Sequence, residues 1–249
     1  MKYGLCNLSL IPVRREACDT SEMVTQLLYG EFFKITESRK NWSKIRNAFD
    51  NYEGWIDNKQ FLEISSEVYH ELNTEELKVT SDIMEFVSDE LGTLISIPIG
   101  SNLNALNHLN HKHDGNFAQG KLPKEKLIES ALLFINAPYL WGGKSPFGID
   151  CSGFTQLVYK LNGHQILRDA KDQATQGETL SFIEESEPGD LAFFDNAEGV
   201  ITHVGIIMSD NYIIHAHGKV RIDRLDHSGI FNLELKRHSH KLRVIKRIV

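Results

Sequence analysis

The sequence predicts an α+β fold, with helices packed on an antiparallel sheet and small all-β barrels in front of them. Residues 1–65 contain short apolar runs that turn residues break roughly every ten positions, a spacing typical of small barrels. Amphipathic helical patterns begin after Pro123, and five strand patterns follow them. Helices followed by a meander of strands are typical of α+β domains.

The region 1–65 is predicted to form one small barrel, because its segments are rich in aromatic and β-branched residues. These segments are GLCNLSLIPVR, TQLLYGEFFKITES and NWSKIRNAFDNYEGWIDNKQFLEI. Within the last one, Asp50 and Asn51 predict a turn that leads into the strand containing Trp55.

Residues 66–122 are predicted to form a second small, mostly β unit. LNTEELKVTSDIMEFVSDELG has a helical beginning, whereas GTLISIPIGSNL has the pattern of a strand and a turn. His108, His111 and His113 raise the question of a metal site. Without a carboxylate or cysteine at a ligand-like spacing, we interpret this segment as a solvated hairpin loop.

Residues 123–249 are predicted to form the α+β domain. PKEKLIESALLFINA has the pattern of an amphipathic helix that Pro138 ends, with one apolar face formed by Leu127, Ile128, Ala131, Leu132 and Ile135. CSGFTQLVYKLNG predicts a second helix with Gly163 just past its end. A short helical turn capped by Asp169 precedes the strands DLAFF, ITHVGIIM, NYIIHAHG, KVRIDRLD and KLRVIKRIV.

Composition narrows the functional classes. The net charge is −7, from 27 basic and 34 acidic residues, which does not favour nucleic acid as a partner. Three cysteines without a C-x-x-C pair support neither a disulfide framework nor a zinc knuckle. The N-terminal residues lack the apolar core of a signal peptide, and no stretch approaches the roughly 18 apolar residues of a membrane span. We therefore expect a cytoplasmic protein without membrane partners.

Cys151 is the candidate nucleophile. It stands at the first turn of the second predicted helix, where the free amide groups and the helix dipole favour a thiolate, so we expect its pKa to fall. A nucleophilic cysteine also needs a base. His203 and His215 each interrupt an apolar strand downstream, and two such histidines on adjacent strands favour a functional role over ordinary half-buried packing.

The strand register provides a test of this histidine pair. Opposed residues in a hairpin share a face, and both His203 and His215 are odd-numbered. They share a face only if the connecting loop has an odd length, for example three residues near Asp210. We predict an odd loop or a bulge there, because a regular two-residue loop would count against a catalytic triad.

At this point the chain resembles a known family. The ordered blocks YLWGG, DCSG, PGDLAFF, THVG and IIHA are similar to those of the NlpC-type cysteine peptidases of bacterial cell-wall metabolism. The resemblance covers residues 123–249 and implies a papain-like core. The first 65 residues, with TQLLYGE and YEGW, resemble the bacterial SH3-like domains that precede this core in members that cleave murein peptides.

The resemblance implies a catalytic set. Cys151 would be the nucleophile, His203 the base and His215 the residue that orients the imidazole. Tyr139 matches the tyrosine that helps to hold the oxyanion, and the Cys151 backbone amide is the second expected donor. His217 stands where many members carry a small polar residue and competes for the orienting role. We favour His215 because it continues the apolar strand.

The resemblance also implies a substrate-binding set. Asp150 and Ser152 match positions that bind the N-terminal side of the substrate in members with SH3-like domains. Glu31 and Tyr52 best match an acidic residue and a tyrosine that close the site around a free α-amine, although a solvated strand end and a barrel residue are alternative interpretations. For Arg168, a structural ion pair with a nearby carboxylate is the expected role.

The implied function is hydrolysis of the γ-D-glutamyl–diamino acid bond in short murein peptides that have a free N-terminal L-alanine. The murein tripeptide is the expected partner, the expected setting is muropeptide recycling, and neither a metal nor another cofactor is required. Two alternatives stay open at this stage. They are acyl transfer on the same papain-like core and a non-catalytic wall-binding role. The sequence does not indicate the oligomeric state.

Overall fold

The computed structural model describes residues 1–249, which form two compact units. The first unit comprises residues 1–121 and 141–146, and the second comprises residues 122–140 and 147–249. A three-domain division at residues 65 and 122 remains a prediction.

A seven-stranded antiparallel sheet dominates the first unit, as the alternating apolar segments predict. Its strand order is β3-β2-β6-β5-β4-β1-β7. The strands are β1 (Lys2–Leu5), β2 (Leu10–Arg14), β3 (Met23–Leu28), β4 (Phe32–Ser38), β5 (Trp42–Asn47), β6 (Glu53–Asp57) and β7 (Leu62–Ile64). Asn51 adopts φ 60° in the predicted turn before β6. The apolar faces enclose a core of Cys6, Ile11, Val13, Leu27, Phe33, Ile35, Ile45 and Ile56.

Residues 66–121 of the first unit combine short helices with short strands. Helix α1 spans Ser66–Thr74, and the Ser65 hydroxyl caps it by accepting a hydrogen bond from the Val68 backbone. A 3₁₀ turn at Leu103–Ala105 leads into α2 (Leu106–Leu109). The strands are β8 (Lys78–Thr80), β9 (Met84–Ser88), β10 (Leu94–Pro98) and β11 (Phe117–Gln119), which pair as β9–β10 and β8–β11. The unit also contains β12 (Lys144–Ser145).

The second unit contains a closed antiparallel ring of strands. After β13 (Gly148–Ile149) and β14 (Glu178–Leu180), the ring is formed by β15 (Leu191–Asp195), β16 (Ile201–Met208), β17 (Tyr212–His217), β18 (Lys219–Asp226), β19 (Gly229–Asn232) and β20 (Arg237–Arg247). Successive strands pair from β15 to β19. The eleven-residue β20 pairs with β19 through its first half and with β15 through its second half, which closes the ring.

The helices of the second unit are α3 (Lys126–Leu132), α4 (Cys151–Leu161) and α5 (Ala170–Gln173). Every residue of α4 is buried, so this helix is part of the core. Gly163 follows α4 at φ 75°, as its predicted position past the helix end requires. No helix has the length and apolar character needed to span a membrane.

The predicted apolar face of α3 is partly wrong. Leu127 and Ala131 are buried, but Leu132 and Ile135 are exposed. The helix ends at Leu132, well before Pro138, so the helical period no longer governs the residues that follow. Phe134 is buried instead and packs edge-on against the ring of Phe154 in α4.

The β16–β17 hairpin confirms the predicted odd loop. Met208 pairs with Tyr212, which leaves the three residues 209–211 in the loop. Asp210 and Asn211 both adopt left-handed backbone angles, at φ 58° and 61°. The pairing places His215 directly opposite Gly205, so His203 and His215 share one face of the sheet.

Candidate active site

Cys151 begins α4 as a buried side chain. The preceding Asp150 caps the helix, since its Oδ1 accepts a 2.6 Å hydrogen bond from the Gly153 amide. Burial raises the pKa of Cys151 to about 12, and the Asp150 carboxylate adds to the rise. Hydrogen bonds with the backbone of Val204 and Ser152 and the charge of Arg168 oppose the rise without cancelling it. The expected fall in pKa is therefore wrong, because desolvation outweighs the helix start.

The two predicted histidines are joined directly. Nε2 of His203 and Nδ1 of His215 lie 2.8 Å apart, and both rings are buried. His217, the competing candidate, is exposed, and its ring centroid lies 6.3 Å from that of His203. The hydrogen-bond geometry therefore favours His215 as the orienting residue.

Gly205 makes room for this pair. A Cβ atom on Gly205 would lie 2.9 Å from Cβ of His215 and 2.8 Å from Cδ1 of Ile213. These separations are too short for carbon atoms in van der Waals contact. The glycine of the THVG segment thus lets the His215 ring extend along the sheet toward His203.

Asp223 extends the chain of contacts and was not identified from the sequence. Its Oδ2 lies 3.2 Å from Nε2 of His215 and accepts a 2.7 Å hydrogen bond from Nε of Arg221. Its Oδ1 accepts hydrogen bonds from Nη2 of Arg221 and from the Leu233 amide. Burial alone would raise the pKa of Asp223, but these hydrogen bonds hold it at about 2, so the carboxylate is ionised. The available signal was strand parity, because Asp223 is odd-numbered like His215 and lies on the same face once β17 and β18 pair through an odd loop.

A further histidine, His240 on β20, completes the cluster. Its ring stacks on that of His203 with centroids 4.1 Å apart and an interplanar angle of 22°. Burial, followed by the other imidazoles, lowers the pKa of His203 well below its usual value. Burial likewise lowers the pKa of His215, against the opposing effect of Asp223, and that of His240 to about 3. The three rings are therefore neutral near pH 7.

The same three imidazoles could in principle hold a metal ion, since their candidate ligand atoms lie within 4.8 Å of one another. Two observations disfavour this use. Nε2 of His203 and Nδ1 of His215 share one hydrogen bond, and Nε2 of His215 lies 3.2 Å from Oδ2 of Asp223, so both nitrogens of His215 already have partners. The arrangement suits proton transfer better than metal ligation.

Tyr139 belongs to the same unit as Cys151 and is half-buried. Its backbone amide donates to the Gly218 carbonyl, and it bridges to Ile149, two residues before the cysteine. Burial raises the pKa of Tyr139, and the neighbouring Cys151 and Asp150 add to that rise. The phenol therefore keeps its proton and can donate a hydrogen bond. Its role at the oxyanion stays a prediction.

Asp150 and Ser152 are held by Arg168. The guanidinium donates to both carboxylate oxygens of Asp150, at 3.0 and 2.7 Å, and to the Ser152 hydroxyl at 2.9 Å. All three side chains are buried, and the ion pair expected for Arg168 is present. A substrate amine at Asp150 would therefore join a carboxylate that is already charge-paired, and this predicted binding role is untested.

Glu31 and Tyr52 lie in the first unit. Glu31 is buried, and its carboxylate accepts hydrogen bonds from Nζ of Lys144 at 3.0 and 3.2 Å and from the Leu28 amide. Tyr52 is half-buried beside the Asp50 turn, where its amide donates to Oδ1 of Asp50. Their role as substrate ligands remains a prediction. The histidines of residues 108–113 have separate partners. Nδ1 of His111 forms a hydrogen bond with the Tyr29 hydroxyl, and Nε2 of His113 lies 3.3 Å from the Glu85 carboxylate.

The second unit, with a cysteine at a helix start and a histidine pair on an antiparallel ring, has the elements of a cysteine peptidase. Residues 136–237 match the NlpC/P60 family, and residues 13–61 match the bacterial dipeptidyl-peptidase SH3 domain. The chain thus carries an NlpC/P60 family domain preceded by a bacterial SH3 domain, and it is a peptidase of the cysteine type.

Relatives of known name agree with this assignment. The chain is 29% identical to a γ-D-glutamyl-L-lysine dipeptidyl-peptidase of Bacillus subtilis, over 80% of this chain and 74% of that protein. It is 27% identical to dipeptidyl-peptidase 6 of Lysinibacillus sphaericus, over 83% and 85% of the two chains. Neither acyl transfer nor non-catalytic wall binding is favoured by these matches.

A solved structure supports the fold. The crystal structure of an NlpC/P60 family protein from Bacillus cereus superposes with a TM-score of 0.80, at 20% identity and over 99% of both chains. The predicted α+β domain with preceding SH3-like barrel is therefore confirmed.

Proposed function

We propose that the protein hydrolyses the γ-D-glutamyl–diamino acid bond of short murein peptides that carry a free N-terminal L-alanine. The chemical part of this proposal rests on the 2.8 Å hydrogen bond between His203 and His215. His203 lies on β16, where the backbone of the next residue, Val204, contacts the Cys151 thiol. The substrate part rests on the relatives' names, which specify both the γ-D-glutamyl bond and release of a dipeptide.

The first chemical step is acylation of Cys151. Because the raised pKa keeps the thiol protonated, His203 takes the thiol proton as the sulfur attacks the amide carbon. An S–C bond forms and the carbonyl becomes an oxyanion, which the Cys151 amide and the Tyr139 hydroxyl would stabilise. The C–N bond then breaks, and His203 returns the proton to the departing amine of the diamino acid.

The second step is hydrolysis of the thioester. His203, neutral again, takes a proton from water, whose oxygen attacks the same carbon. An O–C bond forms, the S–C bond breaks, and the sulfur recovers a proton from His203. The dipeptide L-Ala-γ-D-Glu leaves with a free carboxylate, and neither step as written uses a metal ion or a redox partner.

Recognition of the N-terminus would use charged and polar groups near the nucleophile. Asp150 and Ser152 flank Cys151, and a substrate ammonium would add a charge-assisted hydrogen bond to them. Glu31 and Tyr52 are proposed as further ligands of the amine on the family resemblance alone. Such recognition would favour short peptides over acetylated or polymer-linked ones, which suits recycling of murein fragments in the cytoplasm.

Mass spectrometry of defined peptides tests the proposal. We expect L-Ala-γ-D-Glu from the tripeptides ending in L-lysine or diaminopimelate, and little product from their N-acetylated forms or from an α-linked analogue. Cys151→Ala should abolish turnover, whereas Cys18→Ala, which changes an exposed thiol, should not. Full turnover by Cys151→Ala would refute the mechanism, and equal cleavage of acetylated peptides would refute recognition of the free amine.

A further inference from the structure

We propose that Asp223 is a positioning residue that sets the proton positions of both active-site histidines and so determines which nitrogen of His203 acts as the base. The inference rests on the proposed peptidase function. It concerns a residue that neither the sequence patterns nor the relatives' names bring to attention, and it is carried by a continuous chain of hydrogen bonds from Arg221 through Asp223 and His215 to His203.

The chain begins with a carboxylate that can only accept hydrogen bonds. Asp223 is fully buried, and its two oxygens accept three hydrogen bonds from Arg221 and the Leu233 amide. Arg221 is held in turn by Glu234, at 2.9 Å from Nη1. An ionised carboxylate has no proton to donate, so the 3.2 Å contact with His215 requires a proton on Nε2 of that ring.

The direction of the remaining hydrogen bond follows from that proton. A neutral imidazole carries one N–H, so His215 with a proton on Nε2 has a lone pair on Nδ1. That lone pair faces Nε2 of His203 at 2.8 Å, and His203 must therefore donate from Nε2. Nδ1 of His203 is left with the lone pair, and it is the only nitrogen of this ring that can take the Cys151 proton.

The sheet fixes this chain rigidly. Asp223 pairs with Ile213, and Arg221 pairs with His215, across β17 and β18. Residues two apart on a strand share a face, so His215, Arg221 and Asp223 all lie on the same face of the sheet as Ile213. The carboxylate therefore reaches His215 diagonally, from a strand that does not carry either histidine.

Replacement of Asp223 by Asn provides a sharp test, because an amide presents one oxygen and one NH₂ where the structure needs two acceptors. With its NH₂ facing His215, the amide would donate to Nε2 and drive the proton of His215 to Nδ1. His203 would then accept at Nε2 and carry its own proton on Nδ1, which leaves no base for the thiol. With its oxygen facing His215, the NH₂ would face two donors, Arg221 and the Leu233 amide, and could accept a hydrogen bond from neither.

We therefore expect Asp223→Asn to lower kcat at least about 10²-fold with little change in KM, since the contribution of general base catalysis is lost. The matched control is Asp226→Asn on the same strand, whose carboxylate is half-exposed and contacts His238. It should retain kcat within about twofold, because Asp226 touches neither active-site histidine. Rates are compared after correction for the folded fraction at the assay temperature.

A second measurement separates positioning from a merely structural role and needs no turnover. Nitrogen-15 NMR of the histidine rings should show both His203 and His215 protonated at Nε2 in the unmodified protein, and a shift of protonation toward Nδ1 in Asp223→Asn. Protonation of His215 at Nδ1 in the unmodified protein would overturn the proposal, as would a kcat loss without any tautomer change. If no peptide is cleaved at all, the proposed function fails while the NMR result still decides the role of Asp223.

Discussion

The Nε2 atom of His203 and the Nδ1 atom of His215 lie 2.8 Å apart although the two residues are diagonal, not opposed, in the β16–β17 ladder. The residue directly opposite His215 is Gly205. Diagonal neighbours in an antiparallel pair are separated by roughly 7–8 Å, which only long side chains can bridge. Side-chain contact between the histidines therefore depends on the empty space that the glycine leaves.

Gly205→Ala should lower both stability and kcat. At a compatible backbone position, replacing Gly by Ala normally stabilises a protein by about 0.4–1 kcal/mol. Here the new Cβ would lie 2.9 Å from the His215 Cβ, so one of them must shift. Urea denaturation and peptide turnover measure the two effects. A variant that is more stable and fully active would contradict the packing argument.

The Cys151 thiol should resist alkylation at neutral pH. Its pKa of about 12 means that almost no thiolate exists at pH 7 in the free protein. We expect iodoacetamide labelling of Cys151, followed by peptide mapping, to accelerate only as the pH approaches about 12. The exposed Cys18 serves as the internal comparison and should react first. Preferential labelling of Cys151 at pH 7 would indicate a preformed thiolate instead.

Acidification should destabilise the protein through its buried histidines. The pKa values of His203, His215 and His240 are lowered in the folded state, so below the unfolded value of about 6.5 the unfolded chain binds more protons. Stability is present above that pH and is lost as the pH falls, by at most about 1.4 kcal/mol per pH unit for each histidine.

Thermal melting between pH 7 and pH 4.5 measures this dependence. His240→Asn should reduce the slope because its titration is removed, whereas replacement of the exposed His227 by Asn should leave the slope unchanged. Equal slopes of melting temperature against pH in the unmodified protein and in both variants would show that folding does not lower the pKa of His240.

Breaking the buried ion pair between Arg168 and Asp150 should cost more stability than breaking an exposed ion pair. Both side chains are at most 9% exposed, so Arg168→Met would leave a buried carboxylate without its cation. We expect a loss of about 3–5 kcal/mol in the free energy of unfolding, part of which the double variant with Asp150→Asn should recover. Arg46→Met, in the exposed pair with Glu53, should cost about 0–1 kcal/mol. Similar costs for the two single variants would argue against a buried pair.

Local patterns predicted the parts of the site that depend on register. Because strand alternation is rigid, a catalytic pair of His203 and His215 required an odd loop around Asp210, and the structure has that loop. The same parity, carried one strand further, would have put Asp223 on that face. Its strand, KVRIDRLD, alternates charged and apolar residues, and such a pattern normally indicates a solvated face.

Other features depend on long-range packing that no local pattern encodes. His240 stacks on His203 from the last strand of the ring, where it pairs with Ile230 of β19. The pKa of Cys151 rises because the fold buries the helix start completely, whereas the sequence reports only the helix dipole. Ile135 was misplaced because it lies beyond the end of α3, which the local period does not fix.

Strand β20 has a consequence for biosynthesis. It is the segment that joins β15 to β19, and it brings His240 onto His203. Because a nascent chain emerges from its N-terminus onward, the strands carrying His203, His215 and Asp223 leave the ribosome before the strand that closes the ring around them. A chain translated only as far as β19 would therefore already carry His203, His215 and Asp223, but its ring of strands would be open and His203 would lack the stacked ring of His240.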